Sequence, residues 1–560
     1  MNIINENNYR RITMFRKHGL ISGMIAIILS LVLAWSPDVL AQHEHMHDEY
    51  PIPDDDKIGV IDFKADCDED VQEDFDHALG MLHHMMYVSA RENFREVAEA
   101  DPNCAMAYWG IATTLFQPLW GTRPSEEDLQ KGWENIQKAM ELVDSEREKL
   151  LINSTAEFFR EPETADFRTR IDRWTDGVKA AYEAYPEDHD IVAFYGLTLL
   201  TAAQFTDDRG PLYDEAEYVL RNVFEENPEH PGAIHYSIHA TDIDGRAKNA
   251  LDMVEAYAEI APGTPHALHM PSHIYVRLGN WPEVITWNQL SAEAALNHPV
   301  NGAESHHYIH AIDYLVYAYL QRGEDERAEA VFEEALTKER HQASFVSAFH
   351  FAAIPARLAV EQRDWERAAN LQPRTHDYLP WDASPWAEAL TWYARGLGAA
   401  HTGDLDDARQ AEQRMIELRD IAKERGDDNM VAYIEADRHV LAGRIALEEG
   451  NTEKAIELTQ KATELEGSVE KHPVTPGALQ PTYEALGDLY MDLNRPDHAL
   501  AAYEASDDLW PGRMNTLMGA ALAAKINGNE QIARQYFARL LNSAFTQEIE
   551  LIGAAHGSED

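Results

Sequence analysis

Apolar positions along most of the chain recur at intervals of three and four residues, which is the spacing of one face of an α-helix. Ala499 and Tyr503 illustrate the pattern near the C-terminus. From about residue 70 onward, such segments are separated by turn signals that contain glycine, among them Gly279 and Gly450. Runs of β-branched residues between turn signals are scarce, so the pattern predicts an all-α fold without a sheet.

A longer period is superimposed on the helical one. Ala499 and Tyr503 reappear 34 residues later as Ala533 and Phe537. The pattern W-x2-L-G-x2-Y…A-x3-F…P is matched at Leu486, Gly487, Tyr490, Ala499, Tyr503 and Pro511. On these residues, and on less complete units from residue 79 onward, the chain resembles the tetratricopeptide repeat family over about residues 70–550. The resemblance implies an α-solenoid of stacked antiparallel helix pairs.

The N-terminus has the features of a bacterial-type export signal. A positive region that includes Arg10 and Lys17 precedes the uncharged apolar run Leu20–Trp35, and small residues follow near Ala41. The run is short for a membrane-spanning helix, which needs about 20 residues. We therefore expect residues 1–41 to be a signal peptide that is cleaved near Ala41, which predicts a periplasmic or secreted protein. An uncleaved N-terminal anchor is the alternative.

The remaining chain divides by composition and repeat register. Residues 42–69 are rich in His and Asp and are predicted to form a flexible tail. Residues 70–370 are predicted to be helical repeats with a His-rich groove, and residues 371–387, rich in Pro and Trp, a connecting loop. More regular repeats are expected over residues 388–550, and a short tail over residues 551–560.

The net charge restricts the possible partners, and the two cysteines suggest a disulfide. The chain has 47 Lys and Arg against 98 Asp and Glu, which gives a net charge of −51. Nucleic acid is excluded as a partner because phosphate binding requires a basic surface. A membrane is expected to be contacted only through an uncleaved N-terminal signal. The two cysteines, Cys67 and Cys104, are a candidate disulfide in an exported protein, with two buried free thiols as the alternative.

Histidines are concentrated in the middle of the chain, where ten of the 26 lie between His230 and His310. Positions i, i+4 and i+7 share one face of a helix, and two clusters have that spacing while a third lies between them. The clusters and their close neighbours provide the candidate metal ligands, which are His235, His239, Asp242, His266, His269, His273, His306, His310 and Asp313.

The family resemblance adds an orientation, because the first helix of each repeat lines a concave groove in that family. Phasing the repeats places the clusters on groove positions. Further groove candidates are His77, His84, Tyr236, Tyr308, Tyr317 and His350. Pro271 complicates the phasing, since a helix that begins near it would leave His269 in the preceding loop.

Three interpretations of the clusters remain open. Imidazoles and carboxylates on adjacent helices would hold a divalent metal ion, with Zn, Cu or Fe as the candidates. The same residues would also suit a metal-free polar groove for a protein, a peptide or a small ligand, or a purely structural network. The expected function is a binding scaffold, and the alternative is a metal-dependent hydrolase or oxidoreductase. No catalytic residue is assigned, because the clusters contain no His-Glu-x-x-His motif and the chain contains no Gly-x-Ser-x-Gly or phosphate-loop motif.

Overall fold

A computed structural model describes residues 57–119, 123–206 and 208–543. The predicted signal peptide, residues 42–56 of the predicted tail, and residues 544–560 lie outside this part of the chain. The described residues form helices and no strand, with only two isolated bridges, Val300 to Ala303 and Glu304 to His341. The all-α prediction is confirmed.

Helices follow one another as antiparallel pairs, and most of them pack chiefly against a neighbour in the chain. In chain order they are α1 Gln72–His83, α2 Tyr87–Ala100, α3 Ala105–Thr113, α4 Glu126–Leu142, α5 Glu146–Phe159, α6 Phe167–Ala184, α7 His189–Ala203, α8 Gly210–Glu226, α9 Pro231–Thr241, α10 Leu251–Ile260, α11 Pro265–His269, α12 Pro271–Arg277, α13 Trp281–Ala295, α14 His306–Gln321, α15 Asp325–Leu336, α16 Phe345–Glu361, α17 Trp365–Ala369, α18 Pro385–Thr402, α19 Leu405–Glu424, α20 Asp428–Glu448, α21 Thr452–Glu466, α22 Thr482–Asp492, α23 Pro496–Leu509, α24 Met514–Ile526 and α25 Glu530–Ser543. Short 3-10 turns occur at Glu69–Val71, Ala247–Ala250 and Trp381–Ala383.

The regular spacing of small and large residues explains how these pairs stack. The ring of Tyr503 on α23 is fully buried between α22 and α24. A Cβ atom added to Gly487 or Gly519 would approach that ring to 2.6 Å or 2.4 Å. The two glycines therefore let neighbouring helices close on the aromatic ring, which is the packing that the repeat pattern predicts.

The segment before α1, residues 57–69, packs against the helical array. Residues 57–69 belong to the region that the sequence analysis assigned to a flexible tail, yet Ile58 and Phe63 are buried. The backbone N–H of Val60 donates to Glu229 O at 2.9 Å. Cys67 and Cys104 are joined by a disulfide, with their Cα atoms 4.6 Å apart.

The C-terminal repeats contact the His-rich repeats that precede residue 370 at several points. Trp281 donates its indole N–H to Gly512 O at 3.0 Å, and Arg513 donates to the hydroxyl of Tyr317 at 2.9 Å. The connection between α21 and α22, residues 467–481, contacts Asp242 at the end of α9, Tyr314 on α14 and Arg357 on α16. Within the described ranges, none of the helices combines the length and the apolar character that crossing a membrane requires.

Candidate metal centre

The histidines of the middle of the chain converge because α9, α11, α12 and α14 pack side by side. Pro271 occupies the first position of α12, which proline tolerates because that N–H has no partner within the helix. The helix does begin at Pro271, but His269 is the last residue of the short helix α11 and does not lie in a loop. His269 and His273 consequently face the same side across the junction.

Three of these imidazoles form a compact group that we call the first triad, His269, His273 and His310. The Nε2 atoms of His269 and His273 are 3.0 Å apart, and the ring centroids of His269 and His310 are 4.1 Å apart. One nitrogen from each of the three rings lies within 4.8 Å of the others. All three side chains are buried.

Hydrogen bonds on the far side of each ring set which nitrogen carries the proton. His269 donates from Nδ1 to Asn288 Oδ1 at 2.7 Å, and the amide of Asn288 is oriented because its Nδ2 donates to Val284 O. His273 donates from Nδ1 to Asp242 Oδ2 at 2.9 Å. A neutral imidazole with its proton on Nδ1 has a lone pair on Nε2. Two lone pairs therefore face each other across 3.0 Å.

The third ring is oriented through a relay. His350 donates from Nδ1 to Asp313 Oδ2 at 3.1 Å, which makes its Nε2 an acceptor. His310 donates from Nδ1 to that Nε2 at 2.8 Å. This assignment gives His310 the same tautomer as His269 and His273, with the lone pair on Nε2. Such outer partners are what fixes the orientation of histidine ligands in metal sites.

Burial keeps these rings neutral. The pKa values of His269 and His310 are held well below the ordinary value, first by desolvation and then by the neighbouring imidazoles. Desolvation also lowers the pKa of His273, although Asp242 opposes it. Only the neutral imidazole binds a metal ion, so this protonation state is the competent one.

The carboxylates stay ionised although they are buried. Burial alone would raise the pKa of Asp242, but Lys471 and Arg277 outweigh it and hold that pKa well below its usual range. Lys471 Nζ lies 2.9 Å from Asp242 Oδ2, and Arg277 Nε lies 2.9 Å from Oδ1. Asp313 is held in the same way by Arg357 at 3.0 Å. Asp242 therefore orients His273, and Asp313 orients His350. Each aspartate contacts the centre through that ring.

A second group of imidazoles adjoins the first, and we call it the second triad, His235, His239 and His266. One nitrogen from each ring again lies within 4.8 Å of the others. His235 donates from Nδ1 to His83 O at 2.6 Å, which leaves its Nε2 with the lone pair. The rings of His239 and His273 are 5.8 Å apart, centroid to centroid, so the two triads are neighbours.

A cavity of about 10 Å³ lies between the triads. It is lined by His239, His266, His273, His310, Leu119, Pro473 and Val474. Its size is roughly that of a single water molecule. The groove orientation expected from the repeats is therefore wrong in one respect, because residues 467–481 cover the histidines and leave no open surface for a peptide there.

The remaining predicted residues lie around the triads. His306 contacts the ring of His307 edge to face, with centroids 4.5 Å apart, and belongs to neither triad. His84 contacts the hydroxyl of Tyr257 and Ile58 O, each at 3.0 Å, and His77 is only half-buried. The other groove candidates pair with residues outside the triads: Tyr236 with His83, Tyr308 with His341, and Tyr317 with Arg513.

Sequence reasoning missed the residues that orient the rings. Lys471 is 229 positions from Asp242, and no spacing rule joins them. Asn288 lies on the second helix of a repeat, away from the groove positions, so the repeat pattern did not predict its contact with His269. A further buried group, His83, Asp190 and His230, was also missed, because its members come from three helical pairs.

Comparison with known proteins supports the repeat interpretation locally. Residues 481–511 match the family model of the tetratricopeptide repeat. No curated protein matches the chain.

Some solved structures are similar to the chain at low sequence identity and with low TM-scores. A tetratricopeptide repeat protein from Parabacteroides merdae is 15% identical, with 52% of this chain and 99% of that chain covered and a TM-score of 0.29. The human IFIT1 dimer with m7Gppp-AAAA is 13% identical, with 78% and 90% covered and a TM-score of 0.35. A monomeric IFIT1 mutant with Gppp-AAAA is 15% identical, with 76% and 96% covered and a TM-score of 0.34.

Proposed function

We propose that this chain, a tetratricopeptide repeat protein by its match over residues 481–511, holds a transition-metal ion between His269, His273 and His310. The observation that carries the proposal is the distance of 3.0 Å between Nε2 of His269 and Nε2 of His273. The Nδ1 atom of each ring faces an oxygen acceptor, so each Nε2 has a lone pair. Two nitrogens that each lie about 2.0–2.1 Å from a tetrahedral ion are about 3.3 Å apart. The triad is therefore close to the geometry that an ion requires.

A metal-free explanation would need a proton between the two rings. His273 would then be an imidazolium that donates to His269 and pairs with Asp242. That carboxylate already faces two cations, Arg277 and Lys471. A third buried cation beside it would be left without compensation, which is costly in the protein interior.

The donor set indicates the class of ion. Imidazole nitrogens suit zinc, copper and iron, whereas magnesium and calcium prefer oxygen ligands. The first triad offers nitrogen ligands only, and its two carboxylates, Asp242 and Asp313, orient rings. Three imidazoles would leave a tetrahedral ion one further position for a small ligand, and the small cavity adjoins His273 and His310.

Metal analysis of the protein loaded with Zn²⁺ tests the proposal. We expect stoichiometric zinc in the natural chain and a large loss of bound zinc at this triad in His269→Gln and His273→Gln. His341→Gln is the matched control, because His341 is equally buried and bonds only to Ala335 O through its ring. Zinc-free natural protein after loading, with an unchanged circular dichroism spectrum, would refute the proposal.

We also propose that the protein works outside the cytoplasm. The disulfide between Cys67 and Cys104 supports this, since disulfides persist in oxidising compartments. Mass measurement of the mature chain from the native host tests it, with a start near Gln42 expected. A full-length chain that begins at Met1 and stays in the cytoplasmic fraction would contradict it.

The repeats suggest an interaction scaffold at the level of the family, because stacked repeats present an extended surface to proteins or peptides. A protein or peptide is therefore the partner that we propose for the outer surface. The buried triads do not reach such a partner, since residues 467–481 cover them.

A further inference from the structure

We infer that the second triad, His235, His239 and His266, holds a second metal ion beside the first, so that the protein carries a two-metal centre bounded by imidazoles. This inference rests on the proposed function of the first triad. It adds a second ion, a second set of ligands and a shared small-ligand site.

Two unsatisfied nitrogens carry the argument. The Nε2 atoms of His235 and His239 are buried and have no hydrogen-bond partner among the described residues. Both side chains are at least nine-tenths buried. A buried polar atom without a partner has lost its hydrogen bonds to water and gained none in return, which destabilises the fold. Two such atoms on one face of α9, within reach of each other, indicate that a ligand completes them.

The local fold prepares this triad for an ion. His235 and His239 are four residues apart on α9, so their rings project from the same face, with centroids 5.1 Å apart. His266 enters from α11, with its ring 5.0 Å from that of His235. The backbone carbonyl of His83 fixes the tautomer of His235, as Asn288 and Asp242 do in the first triad.

The two triads converge on one space. The cavity of about 10 Å³ is lined by His239 and His266 from the second triad and by His273 and His310 from the first. Only a ligand of about the size of water fits there. An ion at each triad would face this space, so a single oxygen ligand such as water or hydroxide is the chemical class that it would take.

The ligand chemistry restricts the ions as well. The six ring ligands are neutral and the set contains no carboxylate, which favours copper or zinc over manganese or magnesium. Asp242 and Asp313 are already balanced by Lys471, Arg277 and Arg357. Bound ions therefore keep most of their own charge, which favours a small anionic ligand between them.

Counting ions in single-triad variants tests the inference. After loading with Zn²⁺ we expect two ions per chain in the natural protein and in His341→Gln. His239→Gln should keep one, and His310→Gln should keep one. No zinc in the natural protein would overturn the proposed function and this inference together. One zinc per chain in the natural protein, unchanged in His239→Gln, would overturn the second site alone.

A measurement on the unaltered chain covers the case in which the variants fail to fold. Loaded with two Cu²⁺ ions, the natural protein should show an electron paramagnetic resonance spectrum weakened or split by coupling between neighbouring ions. Two independent, full-intensity Cu²⁺ signals would place the second ion elsewhere and overturn the inference.

Discussion

At the scale of single residues, the centre is specified by what each imidazole does with its outer nitrogen. His269, His273 and His310 differ in their partners, which are an amide, a carboxylate and another imidazole. The result is the same in each case, a lone pair on Nε2. The histidine spacing predicted which rings would converge, but these partners come from distant positions and could not be predicted from spacing.

The first prediction concerns Asn288, which accepts the proton of His269. Asn288→Leu keeps the number and branching of the side-chain heavy atoms and removes the acceptor, so the tautomer of His269 is no longer fixed. We expect zinc affinity to fall by about 10- to 100-fold, the usual effect of losing an outer partner of a histidine ligand. Competition with a chromophoric chelator measures it.

The control for that variant lies on the same helix. Gln289 is exposed and donates only to the hydroxyl of Tyr319. Gln289→Ala should leave the zinc affinity unchanged. Equal affinities in Asn288→Leu and Gln289→Ala would mean that Asn288 does not position His269.

At the scale of elements, helix pairs and their small residues were predictable, and the covering segment was not. Gly487, Tyr503 and Ala499 lie where the repeat spacing expects them. Residues 467–481 have no repeat signature, yet Lys471 and Thr475 on this segment contact Asp242 and Arg357. A pattern of local periodicity carries no information about a loop that packs far along the chain.

The second prediction tests the stacking of the C-terminal repeats. Gly487→Ala would push a methyl group into the buried ring of Tyr503. Overpacking costs about 1–3 kcal/mol, which outweighs the gain of about 1 kcal/mol that alanine brings to a helix. Urea denaturation should show a net loss of stability.

Gly467→Ala is the comparison for that variant. An added Cβ there meets no heavy atom closer than 3.3 Å, and the residue is exposed with a negative φ of −68°. Its stability should be unchanged or slightly higher. A Gly487→Ala variant as stable as Gly467→Ala would show that the ring of Tyr503 does not require the glycine.

The third prediction concerns the disulfide at the start of the helical array. Cys67 and Cys104 are 37 residues apart in sequence. Closing a loop of that length stabilises a fold by about 3–4 kcal/mol through the unfolded state. The double variant Cys67→Ala/Cys104→Ala should lose stability of that order in urea denaturation. Stability equal to that of the natural chain would mean that the disulfide does not form or does not constrain the unfolded chain.

At the scale of the whole molecule, many neutral histidines are buried in a strongly acidic protein. His84 and His472 illustrate the consequence, because burial lowers the pKa of each from 6.5 to about 3. The folded state thus favours the neutral rings. The stability that the folded state gains from these neutral rings is fully present above pH 6.5. It is lost as the pH falls from 6.5 toward 3, because the unfolded state then binds protons that the folded state does not.

The fourth prediction follows from the lowered pKa values of these histidines. The free energy of unfolding of the metal-free protein should decrease as the pH is lowered below 6.5, by up to about 1.4 kcal/mol per pH unit for each such group. His84→Gln should make the slope shallower. Urea midpoints at several pH values measure it, and a stability that stays level or rises between pH 6.5 and pH 4 would contradict the prediction.

The most direct test of the central claim is anomalous X-ray diffraction from crystals of the zinc-loaded protein. The account predicts an anomalous peak about 2.0–2.1 Å from the Nε2 atoms of His269, His273 and His310. A map without a peak between these rings, although zinc is present in the crystal, would contradict it.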